Sequence, residues 1–173
     1  MITRLLGMAF IMLSSTVLGY YYSGKDGYRI NDLRQMKKAF LILRSEVEYT
    51  LSPIKEAIES IAEKTEKPVS NIFKDFKNYL EENPRDGCEN LWKNAIVNNK
   101  KSYFFVDEDI SMFLSFGKVV GGMDKNLQLG TIDMILAFID EKIEEATIAS
   151  VKNKKLYRSL GILSGLALCI VFF

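Results

Sequence analysis

The charged residues of this chain are confined to its middle. Of the 45 charged side chains, 44 lie between Lys25 and Arg158, and Arg4 is the only one outside that interval. The flanks are two uncharged runs, residues 5–22 with 18 residues and residues 160–173 with 14. The chain therefore consists of three consecutive segments, and only the middle one has the composition of an ordinary water-exposed domain.

The first run predicts a transmembrane helix over residues 1–22. A helix needs about 20 apolar residues to cross the hydrocarbon core of a bilayer, and this run comes close to that length. It ends in three tyrosines, residues 20–22, whose amphipathic rings suit the headgroup region. A cleaved secretory signal is the competing interpretation, with Val17 and Gly19 before the cut. The single basic side chain ahead of the run favours the anchor.

The second run, residues 160–173, predicts a short transmembrane helix. Its 14 residues correspond to only about 21 Å of helix, a length that also suits a core or interfacial segment. Its terminal position favours the membrane. Four basic side chains precede it and can reach the headgroups while their stems extend the apolar span: Lys152, Lys154, Lys155 and Arg158.

The basic residues at both ends of the middle segment predict its orientation. Five follow the first run, namely Lys25, Arg29, Arg34, Lys37 and Lys38. Because basic residues remain on the cytoplasmic side, we expect residues 23–159 to form a cytoplasmic domain with both termini outside.

The middle segment predicts an all-α fold, a six-helix bundle between the two membrane helices. An apolar seam at alternating steps of three and four residues defines the first helix, with Asn31 as its cap. The seam consists of Leu33, Met36, Phe40, Leu43 and Val47. Pro53 then begins the second helix, with Ser52 as its cap. No stretch shows the sustained alternation of a strand.

The later helices follow the same periodicity. Apolar positions predict a third helix from Val69 and a fourth from Cys88, whereas residues 103–106 are expected to be a buried connector. Asp107 is the expected cap of a fifth helix, whose buried face includes Gly117. Gly121 and Gly122 are expected to end it. A sixth helix starts near Asp124 and can continue through the basic cluster into residues 160–173.

Composition excludes several classes of function. The chain has no histidine, which rules out Ser-His-Asp hydrolases and His-ligated zinc sites. Its net charge of +1 argues against nucleic acid as a partner. No phosphate-binding glycine motif occurs, so we do not expect this chain to hydrolyse ATP. We also expect no other enzymatic activity, no cofactor and no metal. The alternative is a membrane-tethered enzyme that uses the carboxylates between Asp140 and Glu145, or an exported receptor.

Small residues four apart occur in both uncharged runs. They are Gly161 and Gly165 in the second run, and Ser15 and Gly19 in the first. Such pairs let two helix backbones approach closely in lipid, so these four positions are candidates for helix packing within the membrane.

Several motifs resemble the stage III sporulation protein AB family of endospore-forming bacteria. The most specific is residues 158–166, RSLGILSGL, and residues 50–54, TLSPI, are similar as well. Gly117 and Gly121 followed by Asp124 also match. The resemblance implies a six-helix domain facing the mother-cell cytoplasm and anchored in the outer forespore membrane. Its implied partners are the ATPase stage III sporulation protein AA and neighbouring membrane subunits of the sporulation channel complex.

A weaker similarity links residues 36–143 to the cytoplasmic helical domain of type II secretion and type IV pilus platform proteins. Those proteins carry two such domains, whereas this chain has one between its two anchors. Together the resemblances imply a reduced adaptor, a non-enzymatic scaffold that docks a secretion-type ATPase and other subunits.

Overall fold

A computed structural model describes residues 25–49, 54–83, 85–120 and 124–172 of the chain. These residues form six α-helices and contain no strand. The helices are α1 (Lys25–Tyr49), α2 (Ile54–Lys64), α3 (Val69–Glu82), α4 (Cys88–Asn98), α5 (Asp107–Gly117) and α6 (Lys125–Phe172). Over the described residues, the prediction of an all-helical bundle is confirmed.

The described residues fall into two compact units. One unit is Arg29–Ile143, which contains most of α1, the whole of α2 to α5, and the first part of α6. The other contains residues 25–28 and 144–172 among those described. The basic cluster and the second uncharged run belong to that second unit.

The predicted seam of α1 forms part of the core of Arg29–Ile143. Leu33, Met36, Phe40 and Leu43 have no solvent exposure, and Val47 is partly buried against the same core. Aromatic side chains of α3, α4 and α5 complete it, with ring centroids 5.1 to 5.5 Å from the ring of Trp92: Phe73, Phe76 and Phe116. Helical periodicity therefore identified the buried face correctly.

The start of α1 differs from the prediction. Asn31 is not a cap, because the helix already begins at Lys25. The first turns are held by contacts remote in sequence: the Asp32 carboxylate accepts the backbone N–H of Phe104 at 2.8 Å, and Arg29 pairs with Asp109. Local sequence cannot reveal such partners, and Gly27 weakens the helical signal there.

The start of α5 also differs from the prediction. Asp107 is the first helical residue rather than the cap, and Val106 occupies the capping position. The backbone N–H of Val106 donates instead to the Asp109 carboxylate at 3.0 Å, which is the third-position half of a capping box. The preceding residues 103–106 form neither helix nor strand, and the rings of Tyr103 and Phe105 are buried, as expected of a connector.

Helix α6 is continuous from Lys125 to Phe172 and so includes most of the second uncharged run. The Asp124 carboxylate accepts the backbone N–H groups of Asn126 and Leu127 at 2.9 and 3.2 Å, so it caps the helix. Within the described part of the chain, no helix combines the length and the apolar character that crossing a membrane requires.

Candidate interaction surface

Helix α5 is fixed against α4 by a close approach at Gly117. Trp92 on α4 is fully buried, and its indole N–H donates to the Phe113 carbonyl at 2.8 Å. A β-carbon at position 117 would lie 2.9 Å from Cδ1 of Trp92 and 3.1 Å from Cα of Glu89. Because both distances are shorter than van der Waals contact, only glycine lets the two helices meet here.

The other end of α5 is fixed to α1 by a buried ion pair. The Arg29 guanidinium donates to both carboxylate oxygens of Asp109, at 2.9 Å from Nε and 2.8 Å from Nη2. The Asp109 side chain is fully buried, while the Arg29 side chain is 23% exposed. Bidentate geometry and burial make this a directional contact. Helix α5 is therefore held at its first and its last turn.

The outer face of this fixed helix is accessible. Ser111 is exposed, and Met112, Leu114 and Ser115 are half-buried, whereas Phe113 and Phe116 point into the core. Two grooves run along the outer face, one on each side. Their shared wall consists of Ser111 and Ser115.

The first groove, which we call the α5–α6 groove, has a volume of about 360 Å³. Its lining residues are Glu108, Ser111, Met112 and Ser115 of α5 with Met134 and Phe138 of α6. Met134 is 50% exposed. Methionine and phenylalanine side chains give this groove an apolar, deformable surface.

An ion pair lies at the Glu108 end of the α5–α6 groove. The Lys142 ammonium lies 3.1 Å from the Glu108 carboxylate and 5.4 Å from the centroid of the Phe138 ring. The ammonium therefore makes an ion pair and a cation–π contact together. The Glu108 side chain stays 63% exposed, so its carboxylate remains available to a further donor.

The second groove, the α4–α5 groove, has a volume of about 290 Å³ and a different character. Charged side chains dominate its walls, and Leu114 is its only large apolar residue. The lining residues are Glu89, Lys93, Ser111, Leu114, Ser115 and Lys118. Of the two grooves, the α5–α6 groove has the apolar character expected of the centre of a protein interface.

The carboxylates considered for catalysis do not converge on a pocket. Among them, Asp140 pairs with Lys37 of α1 at 2.5 Å. Asp133, which precedes that group on α6, pairs with Arg44 at 2.7 Å. Glu141 is exposed. Among the described residues, no group of three or more potential metal ligands comes together. The two paired carboxylates link α6 to α1.

The remaining predicted positions are distributed as follows. Gly117 is the packing position described above, and Lys152 and Lys155 are exposed on α6. Lys154, Arg158, Gly161 and Gly165 also lie within α6. Five further positions lie outside the described residues: Ser15, Gly19, Pro53, Gly121 and Gly122. The prediction that Gly121 and Gly122 end α5 is wrong, because the helix already ends at Gly117 and the next two backbone N–H groups form turn bonds to carbonyls three residues back.

Periodicity alone did not reveal the α5–α6 groove. The buried seam of α6 contains Ile132, Ile135 and Ile139. Leu127, Met134 and Phe138 form a second apolar stripe on the same helix, at spacings of seven and four residues. That spacing was a usable signal, because a helix with two apolar stripes has a face left for another partner.

Comparison with known proteins finds similarity over nearly the whole chain. A family model described as Stage III sporulation protein AB matches residues 4–173. Stage III sporulation protein AB of Bacillus subtilis (strain 168) is 27% identical over 168 residues, which cover 97% of this chain and 98% of that protein. A solved structure of stage III sporulation protein AB aligns with a TM-score of 0.67 at 22% identity, covering 72% of this chain and 97% of that one. At that identity, the solved structure establishes a shared fold.

Proposed function

Because the chain belongs to the stage III sporulation protein AB family, we propose that it acts in sporulation as a non-enzymatic membrane scaffold. The family supports the role in sporulation, and the scaffold activity is our inference. The scaffold docks an ATPase of the stage III sporulation protein AA type and neighbouring membrane subunits of the sporulation channel complex. It needs no cofactor and binds no nucleic acid.

The observation that carries this proposal is the arrangement of α5. The ion pair Arg29–Asp109 holds its first turn, and the contact between Gly117 and Trp92 holds its last turn. Between these two points the outer face stays accessible beside two grooves. A helix held at both ends presents a surface of constant shape, which lowers the entropy lost when a partner binds.

The charge distribution supports a position at the membrane. We propose that residues 1–22 and 160–173 anchor the chain in the outer forespore membrane, with residues 23–159 in the mother-cell cytoplasm. Residues 5–22 and 160–173 contain no charged side chain, and basic residues gather beside them at both ends of the middle segment. The exposed side chains of Lys152 and Lys155 on α6 are suited to contact anionic headgroups.

Affinity purification of the tagged full chain from membranes of sporulating cells tests the scaffold. We expect the ATPase to be recovered with it and to be absent from an untagged strain. The proposal is wrong if the chain is recovered in normal amount without the ATPase or any membrane subunit of the complex. Deleting the chain should also stop engulfed forespores from developing, so a normal spore yield would contradict the proposal.

A further inference from the structure

The α5–α6 groove has the features of a binding site for one helix. We propose that it receives an amphipathic α-helix of a partner protein, with an apolar ridge along the groove and a basic residue at the end near Glu108. This inference rests on the proposed scaffold function, because it assigns the surface at which the scaffold holds one of its partners.

The shape of the groove matches a helix. Ser111 and Ser115 on one wall are four residues apart, as are Met134 and Phe138 on the other. Each pair therefore spans about one helical turn, with small side chains facing large ones. Apolar side chains at positions i, i+3, i+4 and i+7 of an incoming helix would follow the same period.

An exposed apolar stripe extends the groove along α6. Leu127 is 57% exposed and lies seven residues before Met134, which is 50% exposed. Residues seven apart occupy the same face of a helix, so the stripe continues the apolar surface for about two turns beyond Met134. Exposed apolar side chains aligned beside an apolar groove favour the association of another protein at this face.

Gly130, on the face of α6 that carries Leu127 and Met134, is a second observation that favours a partner helix at this site. It lies one turn before Met134 inside α6, where glycine weakens a helix. Among the described residues, a β-carbon added to Gly130 would meet nothing within 4 Å apart from its chain neighbours and the backbone of its own helix, so packing among these residues does not explain the glycine. A partner helix that passes close to the α6 backbone would use the space that the missing side chain leaves.

The charges at one end of the groove indicate which charge the partner helix should carry there. The charged end of the groove carries the Glu108 carboxylate, which is 63% exposed and pairs with the Lys142 ammonium. Glu141 lies two turns beyond Met134 on the same face of α6. The middle of the groove, lined by serine, methionine and phenylalanine, is uncharged. A lysine or arginine on the partner helix would therefore pair with this acidic end.

Photo-crosslinking in sporulating cells tests the site in the full chain. A benzophenone side chain replaces Met134 in one strain and Leu41 in another, because Leu41 lies on α1 outside the groove and is 48% exposed. We expect Met134 to capture a segment with apolar residues at helical spacing and a lysine or arginine at one end. Leu41 should not capture that segment.

Substitutions test the chemistry of the contact. Met134→Asp should lower the yield of the captured partner at least about tenfold, whereas Met134→Leu and the control Leu41→Asp should retain it. A thermal melt should show unchanged folding in all three variants. Glu141→Lys should reduce binding, and reversing the charge of the basic residue on the captured helix should restore it.

Several results would overturn the site. Met134 could capture a second copy of this chain, residues 1–24 of the same chain, or no more protein than Leu41 does. The site is also wrong if reversing the charge of the basic residue on the captured helix does not restore binding to the Glu141→Lys variant. If the Met134→Asp chain still recovers the ATPase and the membrane subunits at the wild-type level, this groove is not the binding site and the scaffold function stands. If the wild-type chain recovers none of these proteins, the proposed function itself fails.

Discussion

Among Gly27, Gly87, Gly117 and Gly130, only Gly117 has neighbouring atoms that a β-carbon would meet. No described glycine has a positive φ, so the requirement for glycine at this position is steric. Gly117→Ala would place a β-carbon 2.9 Å from Trp92, whose indole is held by its hydrogen bond to Phe113. We expect a loss of about 1–3 kcal/mol in the free energy of unfolding, measured by urea denaturation.

Gly130→Ala is the matched control for that substitution. The new β-carbon meets no described atom beyond its own stretch of helix, so the variant should gain about 0.5–1 kcal/mol from improved helix propensity. If Gly117→Ala and Gly130→Ala changed the free energy of unfolding equally, the close packing that we assign to Gly117 would be contradicted.

Asp32 makes stability depend on pH. Burial raises the pKa of its carboxyl group above the ordinary value of 3.8, and the hydrogen bond from Phe104 opposes that shift in part. The folded state therefore binds the proton more tightly than the unfolded state does. The stabilisation by the protonated form is complete below the unfolded pKa and is lost as pH rises through the folded pKa.

Asp32→Asn should remove this dependence, because the amide oxygen can still accept the Phe104 N–H and carries no charge. Denaturation of both proteins between pH 7 and pH 4 measures it. We expect the wild type to gain stability relative to the variant as pH falls. A constant difference over that interval would show that the Asp32 carboxyl group has the same pKa in both states.

At the scale of helices, the Arg29–Asp109 pair attaches α5 to α1. Its two ends are unequal, since Asp109 is fully buried and Arg29 is 23% exposed. Arg29→Met leaves a buried carboxylate without its counter-charge, at a cost of about 3–5 kcal/mol. Asp109→Asn keeps an acceptor for Val106 and leaves a cation that can reach water, so it should cost less, about 1–3 kcal/mol. Urea denaturation of both variants measures the loss in the free energy of unfolding. A larger loss in Asp109→Asn than in Arg29→Met would show that burial of the carboxylate does not decide the cost.

The extent of the helices shows what periodicity can and cannot predict. The buried seam of α1 was found from the spacing of Leu33, Met36, Phe40 and Leu43, because burial of one face imposes that spacing. The first two turns of α1 were missed. Their stability comes from Arg29 and Asp32, whose partners are 80 and 72 residues away.

For the whole molecule, the charge distribution predicts which side of the membrane the middle segment occupies. Reporter fusions at Ser23 and Ser102 should both be active with a reporter that works in the cytoplasm. A fusion after Phe173 should be active only with a reporter that works outside the cytoplasm. If the reporter that works outside the cytoplasm were active at Ser23 and Ser102, the proposed topology would be reversed. That result would favour the alternative that the chain is an exported receptor.

The sequence by itself determined the three-segment organisation, the helical class and most of the core. These properties depend on local composition and on a short repeat, which can be read without knowing what any residue contacts. The tertiary structure decided which side chains meet. Only folding brings Gly117 onto Trp92, Arg29 onto Asp109, and the serines of α5 beside Met134 and Phe138. The candidate interaction surface belongs to this second group, because each groove is formed by two helices and neither helix contains it alone.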